Sequence, residues 1–118
     1  MIEGGAYVEV AARYDCPQDA YWEALRLDDE FPSDVLTGFG FFVRSDGTTI
    51  MILSFPRRHR EAACRAEGML GEAAYLGEDQ PTAEQCVDAL EAGQFALGCA
   101  GALEAFALVA GLWRKTDA

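Results

Sequence analysis

Residues 38–55 read GFGFFVRSDGTTIMILSF: two runs of apolar, aromatic and β-branched residues, 39–44 and 48–55, separated by Ser45, Asp46 and Gly47. Asp and Gly tolerate positive φ, so this spacing predicts a β-hairpin. In the second run Ile50, Met51, Ile52 and Leu53 follow one another without a polar break, which predicts a central strand covered on both faces.

Upstream of the hairpin, residues 6–14 are rich in Val and Tyr and read as another strand. Asp15, Cys16 and Pro17 then mark a helix start, because proline at the first helical position sacrifices no hydrogen bond. That helix runs to about Glu30, is stopped by Pro32, and puts Tyr21, Ala24, Leu25 and Asp28 on one side. Downstream, a helix is expected from beyond Pro56 to about Tyr75 and a loop over 77–80. A capping box at Thr82 and Gln85 opens a further helix or helix pair reaching Arg114, with Gly93 and Gly98 as candidate breaks. The order β-α-β-β-α-α predicts an α+β fold, a small antiparallel sheet covered by helices with an apolar C-terminal helix, in one domain over 1–118.

Hydrophobic residues make up 51% and charged residues 25% of the 118, which excludes the disordered and low-complexity classes. Twenty Asp and Glu against nine Lys and Arg give a net charge of -11. A field of that sign repels phosphates, so direct nucleic-acid binding and an acidic membrane surface are both disfavoured. The charge is uneven: residues 56–70 hold four bases and two acids, a basic island in an acidic chain.

Cys16, Cys64, Cys86 and Cys99 contain no Cys-x-x-Cys pair, and His59 is the one histidine, so no zinc site is expected. The first basic residue is Arg13, and no secretory leader is read at the start. The expectation is a reducing, cytoplasmic setting with free, mostly buried thiols. Residues 95–113 carry one charge over a length that could just cross a bilayer, but Glu104 at the centre would cost about 3 kcal/mol on insertion. A buried core helix or a homodimer interface over 95–113 is the better reading, with Glu104 at the edge of the buried surface.

No catalytic constellation stands out. His59 and Cys64 lie five residues apart, about 140° around a helix, and do not meet locally. Gly38-Phe39-Gly40 lacks the strand-to-helix context of a phosphate loop. No cofactor and no metal site are expected.

Two places break a rule of helix electrostatics, which favours cations at C-termini and anions at N-termini. The first helix ends in Asp28, Asp29 and Glu30, with Asp34 just beyond, while the helix after Ser54 opens with Arg57, Arg58, His59 and Arg60. Either these clusters are compensated within the fold or they meet a partner. A third group, Glu84, Asp88 and Glu91, is spaced to line one helix face, with Glu78 and Asp79 just before it.

These features lead to the expectation of a small acidic, non-enzymatic protein-binding module. It would act as a stoichiometric inhibitor of a basic, nucleic-acid-binding partner such as a nuclease or a nucleic-acid-guided complex. By composition alone that profile is anti-CRISPR-like or toxin-immunity-like. The alternatives are a chaperone-like or assembly adaptor acting as a homodimer, and an enzyme or small-ligand domain. The acidic candidates are Asp28, Asp29, Glu30, Asp34, Glu84, Asp88 and Glu91; the basic candidates for a partner or anion are Arg57, Arg58 and Arg60.

Overall fold

The computed structural model describes residues 2–4, 6–75, 83–92, 95–99 and 101–112. In chain order the elements are β1 (Ile2–Gly4), β2 (Tyr7–Tyr14), α1 (Pro17–Glu30), β3 (Gly38–Val43) and β4 (Thr49–Pro56). A 3₁₀ turn (Arg57–His59) leads into α2 (Arg60–Leu70). A second 3₁₀ turn (Gly71–Ala73), β5 (Ala74–Tyr75), α3 (Ala83–Glu91), β6 (Phe95–Cys99) and α4 (Ala102–Ala110) complete the described chain. The fold is α+β with an antiparallel sheet, and it contains the strand, helix, two strands and helices read from the sequence. Three short strands, β1, β5 and β6, widen the sheet to six.

The sheet order is β1-β2-β4-β3-β6, with β5 sharing the outer edge of β2. The hairpin forms its turn as expected: Gly47 takes φ 92, a conformation that favours glycine. Asp46 Oδ1 accepts the Thr48 backbone N–H at 2.9 Å, and that bond holds the Asp46 carboxyl below the usual carboxylate range. Thr49, fully buried, is satisfied because its hydroxyl donates to the Gly47 carbonyl at 3.0 Å.

Strand β4 lies between β2 and β3 and pairs along its full length with β2, from Tyr7↔Pro56 to Tyr14↔Thr49. One face of the sheet carries Val8, Val10, Phe41, Met51, Leu53 and Phe55, packed in one core with residues of α1, α2 and α4. The alternating residues Ala11 and Ile50 point the other way and are buried as well. Ile52 on that second face is half-buried, so the run 50–53 is fully covered on one face and in part on the other.

Alanines let the helices approach closely: α1 buries Ala20, Tyr21, Ala24 and Leu27, and α2 buries Ala62, Ala63, Ala66 and Leu70. Helix α1 starts as read, with extended Cys16 before Pro17, and ends where the Phe31 N–H donates to the Leu27 carbonyl ahead of Pro32. Phe31 then drops into the core, edge-on to Phe55 at 5.7 Å. Helix α4 packs on β3, β6 and α1, and Phe106 is its anchor. Its ring stacks on Phe41 at 3.9 Å and meets Tyr21 edge-on at 6.5 Å.

Two sequence expectations give way. The apolar run 95–113 is not one helix: Phe95–Cys99 is a strand paired with β3, and the helix is the shorter Ala102–Ala110. Gly101 at φ 77 and Gly111 at φ 66 are left-handed breaks that an α-helix does not contain, and periodicity cannot separate a short apolar strand from a buried helix. Likewise the helix expected to reach Tyr75 closes at Leu70, where Gly71 turns to φ 56, and the chain re-enters the sheet as β5. The loop at 77–80, the cap at Thr82, the break at Gly93 and the end at Arg114 lie outside the described residues.

Because Phe106 is fully buried and joins three elements, Phe106→Ala is expected to cost about 3–5 kcal/mol. Urea unfolding followed by circular dichroism measures it. A loss below about 1 kcal/mol would contradict this packing.

Candidate functional site

A cleft of about 230 Å³ opens where α1, the 33–37 turn, the start of β3 and the start of α4 converge. Tyr21, Leu25 and Asp28, one row of α1 at i, i+4 and i+7, form one wall; Phe39 and Leu36 line it from β3 and the turn; Leu103 and Glu104 come from α4. Tyr21 and Leu36 are buried and Leu25, Phe39 and Leu103 partly so, while Asp28, Ser33, Thr37 and Glu104 are exposed at the mouth. The lining has apolar walls and two carboxylates and contains no basic residue.

Each wall is held from behind. Tyr21 leans on Phe106, which stacks on Phe41, which in turn stacks on Phe39 at 6.4 Å. Thr37 is fixed by two bonds to the Ser54 carbonyl, from its backbone N–H at 3.0 Å and its hydroxyl at 3.2 Å. Glu104 lies in the first turn of α4, where the helix dipole favours a carboxylate, and not in the middle of a long apolar helix. It is exposed at the cleft, next to buried Ala102 and Phe106 of the same helix.

The acidic candidates Asp28, Asp29, Glu30 and Asp34 are all exposed, and Asp28 joins this cluster to the cleft. The basic candidates occur at the same end of the sheet, since β4 ends at Pro56 beside Tyr7 while β3 starts at Gly38 beside Ser54. Arg57 and Arg58 sit exposed in the 3₁₀ turn, tied down by the Arg57 backbone N–H on the Ala6 carbonyl at 2.9 Å. They therefore precede α2, whose own first turn carries Glu61, so the charge reversal read there is smaller than the sequence implied. Arg60, the first residue of α2, is exposed and engaged in an interaction of its own.

A cation that the sequence does not single out lies near the end of α1. Arg65 of α2 places its guanidinium 4.7 Å from the centre of the Phe31 ring, at the C-cap of α1. In return Arg26 of α1 pairs with Glu23 at 2.6 Å and reaches the Met69 carbonyl in the last turn of α2 at 3.4 Å. That carboxylate contact raises the Arg26 pKa further. The only signal for either role was the surplus of arginine over lysine.

Glu84, Asp88 and Glu91 are exposed along α3, as their spacing predicted. Helix α3 packs on β6, and its acids are not among the residues lining the cleft. Glu78 and Asp79 lie outside the described residues.

Among the described residues no group of three or more His, Cys, Asp or Glu is arranged to hold a metal ion. None of their helices is long and apolar enough to cross a membrane. Cys16, Cys64 and Cys86 are free, but the expectation of mostly buried thiols fails: Cys64 is exposed and the other two are partly so. Ala62, Ala63 and Ala66 take the inward face of α2, which turns Cys64 outward. Partial burial pushes the Cys86 thiol pKa up, away from a reactive thiolate.

Among the described residues the most displaced titratable group, Tyr14, is far from the cleft. Tyr14 pairs with Thr49, five residues along β4 from the Ser54 that flanks Gly38, roughly 17 Å away. Among the described residues its buried hydroxyl has no hydrogen-bond partner, and desolvation, with Glu23 adding to it, drives its pKa well above the ordinary value. Comparison of the chain with protein-family models, with curated proteins and with solved structures returns no match.

Two outcomes follow. The fold accommodates only neutral Tyr14, so stability should hold below pH 10, the unfolded tyrosine value, and fall as pH rises beyond it. Tyr14→Phe should remove that decline and leave neutral-pH stability unchanged or raised by up to about 1 kcal/mol; a loss of more than that would mean the hydroxyl has a partner. Melting with and without reductant should give the same temperature, because Cys16, Cys64 and Cys86 are unpaired.

Proposed function

We propose that this chain is a non-catalytic protein-binding module that occupies a basic surface of a protein partner, with one partner Arg or Lys side chain seated in the cleft. The observation that carries the reading is the double position of Asp28, a member of the exposed acidic cluster and a residue of the cleft wall. A long cationic side chain has an apolar stem and a charged head. The cleft offers the complement, with Leu25, Phe39 and Leu103 along the walls and Asp28 and Glu104 at the mouth. At about 230 Å³ it is smaller than the 300–1,000 Å³ typical of small-molecule and cofactor pockets, which favours a single side chain as occupant.

The net charge of -11 supports the choice of partner class. A protein of that charge is drawn to a basic surface and repelled by the nucleic acid that such a surface binds. The specific form of the proposal is therefore stoichiometric inhibition: the module holds the groove of a nuclease or nucleic-acid-guided complex and excludes its nucleic acid. Arg57 and Arg58, exposed at the same end, would orient the encounter by meeting acids that border such a groove.

The test begins with affinity capture from the source cell at low salt, followed by association kinetics with the retained protein. Reversing Asp28, Asp29 and Glu30 to Lys should slow association roughly tenfold or more at low salt, an effect that shrinks as salt rises. Reversing Glu84, Asp88 and Glu91 should matter less, because those side chains lie outside the cleft. If neither triple changes affinity while circular dichroism stays native, the electrostatic reading is wrong.

A further inference from the structure

The polar side chains that border the cleft present acceptors from three elements. Asp28 on α1 and Glu104 on α4 are carboxylates, and Thr37 comes from the turn before β3. The Thr37 hydroxyl gives its one hydrogen to the Ser54 carbonyl at 3.2 Å, so it offers a ligand lone pairs only. Tyr21, 5% exposed and part of the same lining, has a hydroxyl that no hydrogen bond among the described residues engages. Arg26 of α1 is held by Glu23 and the Met69 carbonyl, and no base lines the cleft.

We infer that this cleft selects arginine over lysine, with the ring of Phe39 as the deciding contact. The inference rests on the reading of the cleft as a seat for one cationic side chain and names the cation it takes. Hydrogen bonding favours arginine first. An ammonium is a point charge with three donors, whereas a guanidinium spreads five N–H donors over a plane, which suits acceptors that border the cleft from three separate elements. The ring acts in the same direction. Phe39 lies 6° from parallel to Phe41, with centroids 6.4 Å apart, and it is only partly buried where it lines the cleft. A guanidinium stacks on such a ring, and an ammonium has no flat face to offer it. The chain makes this contact internally, with Arg65 4.7 Å from the centre of the Phe31 ring.

Hydration agrees. A side chain that enters gives up part of its water to the apolar walls of Leu25 and Leu103, and a guanidinium, more weakly hydrated than an ammonium, loses less by it. Asp28 and Glu104 attract either cation. Phe39, by its face, and Thr37, as an acceptor, are the residues that tell the two apart.

The experiment is an amide chemical-shift titration of the full chain at low salt with two end-capped peptides, Gly-Gly-Xaa-Gly-Gly, in which Xaa is arginine or lysine. It is repeated on Phe39→Leu, checked for native circular dichroism. The arginine peptide is expected to bind the wild type about fivefold more tightly than the lysine peptide. Phe39→Leu should bring that ratio below about twofold and change lysine binding little. The wild-type comparison is decisive whether or not the variant folds. Equal binding of the two peptides, or a preference for lysine, overturns the inference and leaves the cation seat standing. A preference that a folded Phe39→Leu leaves intact overturns it as well. Saturable binding of neither peptide overturns it together with the proposed function.

Discussion

The stack of Phe106 on Phe41, at 3.9 Å and 11° from parallel, is the contact on which the cleft between α1, β3 and α4 depends. It attaches α4 to the sheet, and through the edge-on contact with Tyr21 it attaches α4 to α1. Those three elements supply most of the cleft, and each contributes a residue that sits directly beside the stack: Tyr21 on α1, Phe39 on β3, Ala102 and Leu103 at the start of α4. Helix α4 has nine residues and would not persist alone. Its hold on the sheet is the hold of one fully buried ring and the small side chains around it.

Around that core the charges are arranged by exchange between two helices. The carboxylates that close α1 are unfavourable to its dipole, yet Arg65 of α2 stands over Phe31 at that helix end, and Arg26 of α1 reaches the carbonyl of Met69 at the end of α2. Arg26 thus meets a carbonyl in the last turn of α2, while Arg65 lies over the ring that follows α1. The acidic cluster itself remains exposed. Glu23 holds the Arg26 guanidinium through two hydrogen bonds, from Nε at 2.9 Å and from Nη2 at 2.6 Å.

Where local pattern and tertiary environment agree, the sequence was sufficient. The Asp46-Gly47 turn, the unbroken run 50–53 and Pro17 after Cys16 led to the hairpin, to the centre of the sheet and to the start of α1. One wall of the cleft was legible too, because Tyr21, Leu25 and Asp28 share a helix face by spacing alone. The other wall was not. Residues 95–113, nineteen with a single charge, read as a helix or helix pair with Gly98 as a candidate break, and nothing local marks Phe95–Cys99 as a strand. The pairing with β3, fifty and more residues distant, decides it. The break falls at Gly101 and not at Gly98, which lies within β6, and misplacing the helix start moved Glu104 from the cleft to mid-helix. Arg65 was invisible for the same reason: its partner, Phe31, is distant in sequence and is met only when α1 and α2 lie side by side.

The central claim is that the cleft between α1 and α4 receives a cationic side chain. The direct measurement is an amide chemical-shift map of the chain titrated at low salt with a short arginine-containing peptide, using the same peptide with citrulline in place of arginine as the neutral control. Saturable shifts at Leu25, Asp28, Thr37, Phe39, Leu103 and Glu104, absent with citrulline and weakened by salt, are the predicted result. Shifts centred on Glu84, Asp88 and Glu91, or equal responses to the two peptides, would contradict it.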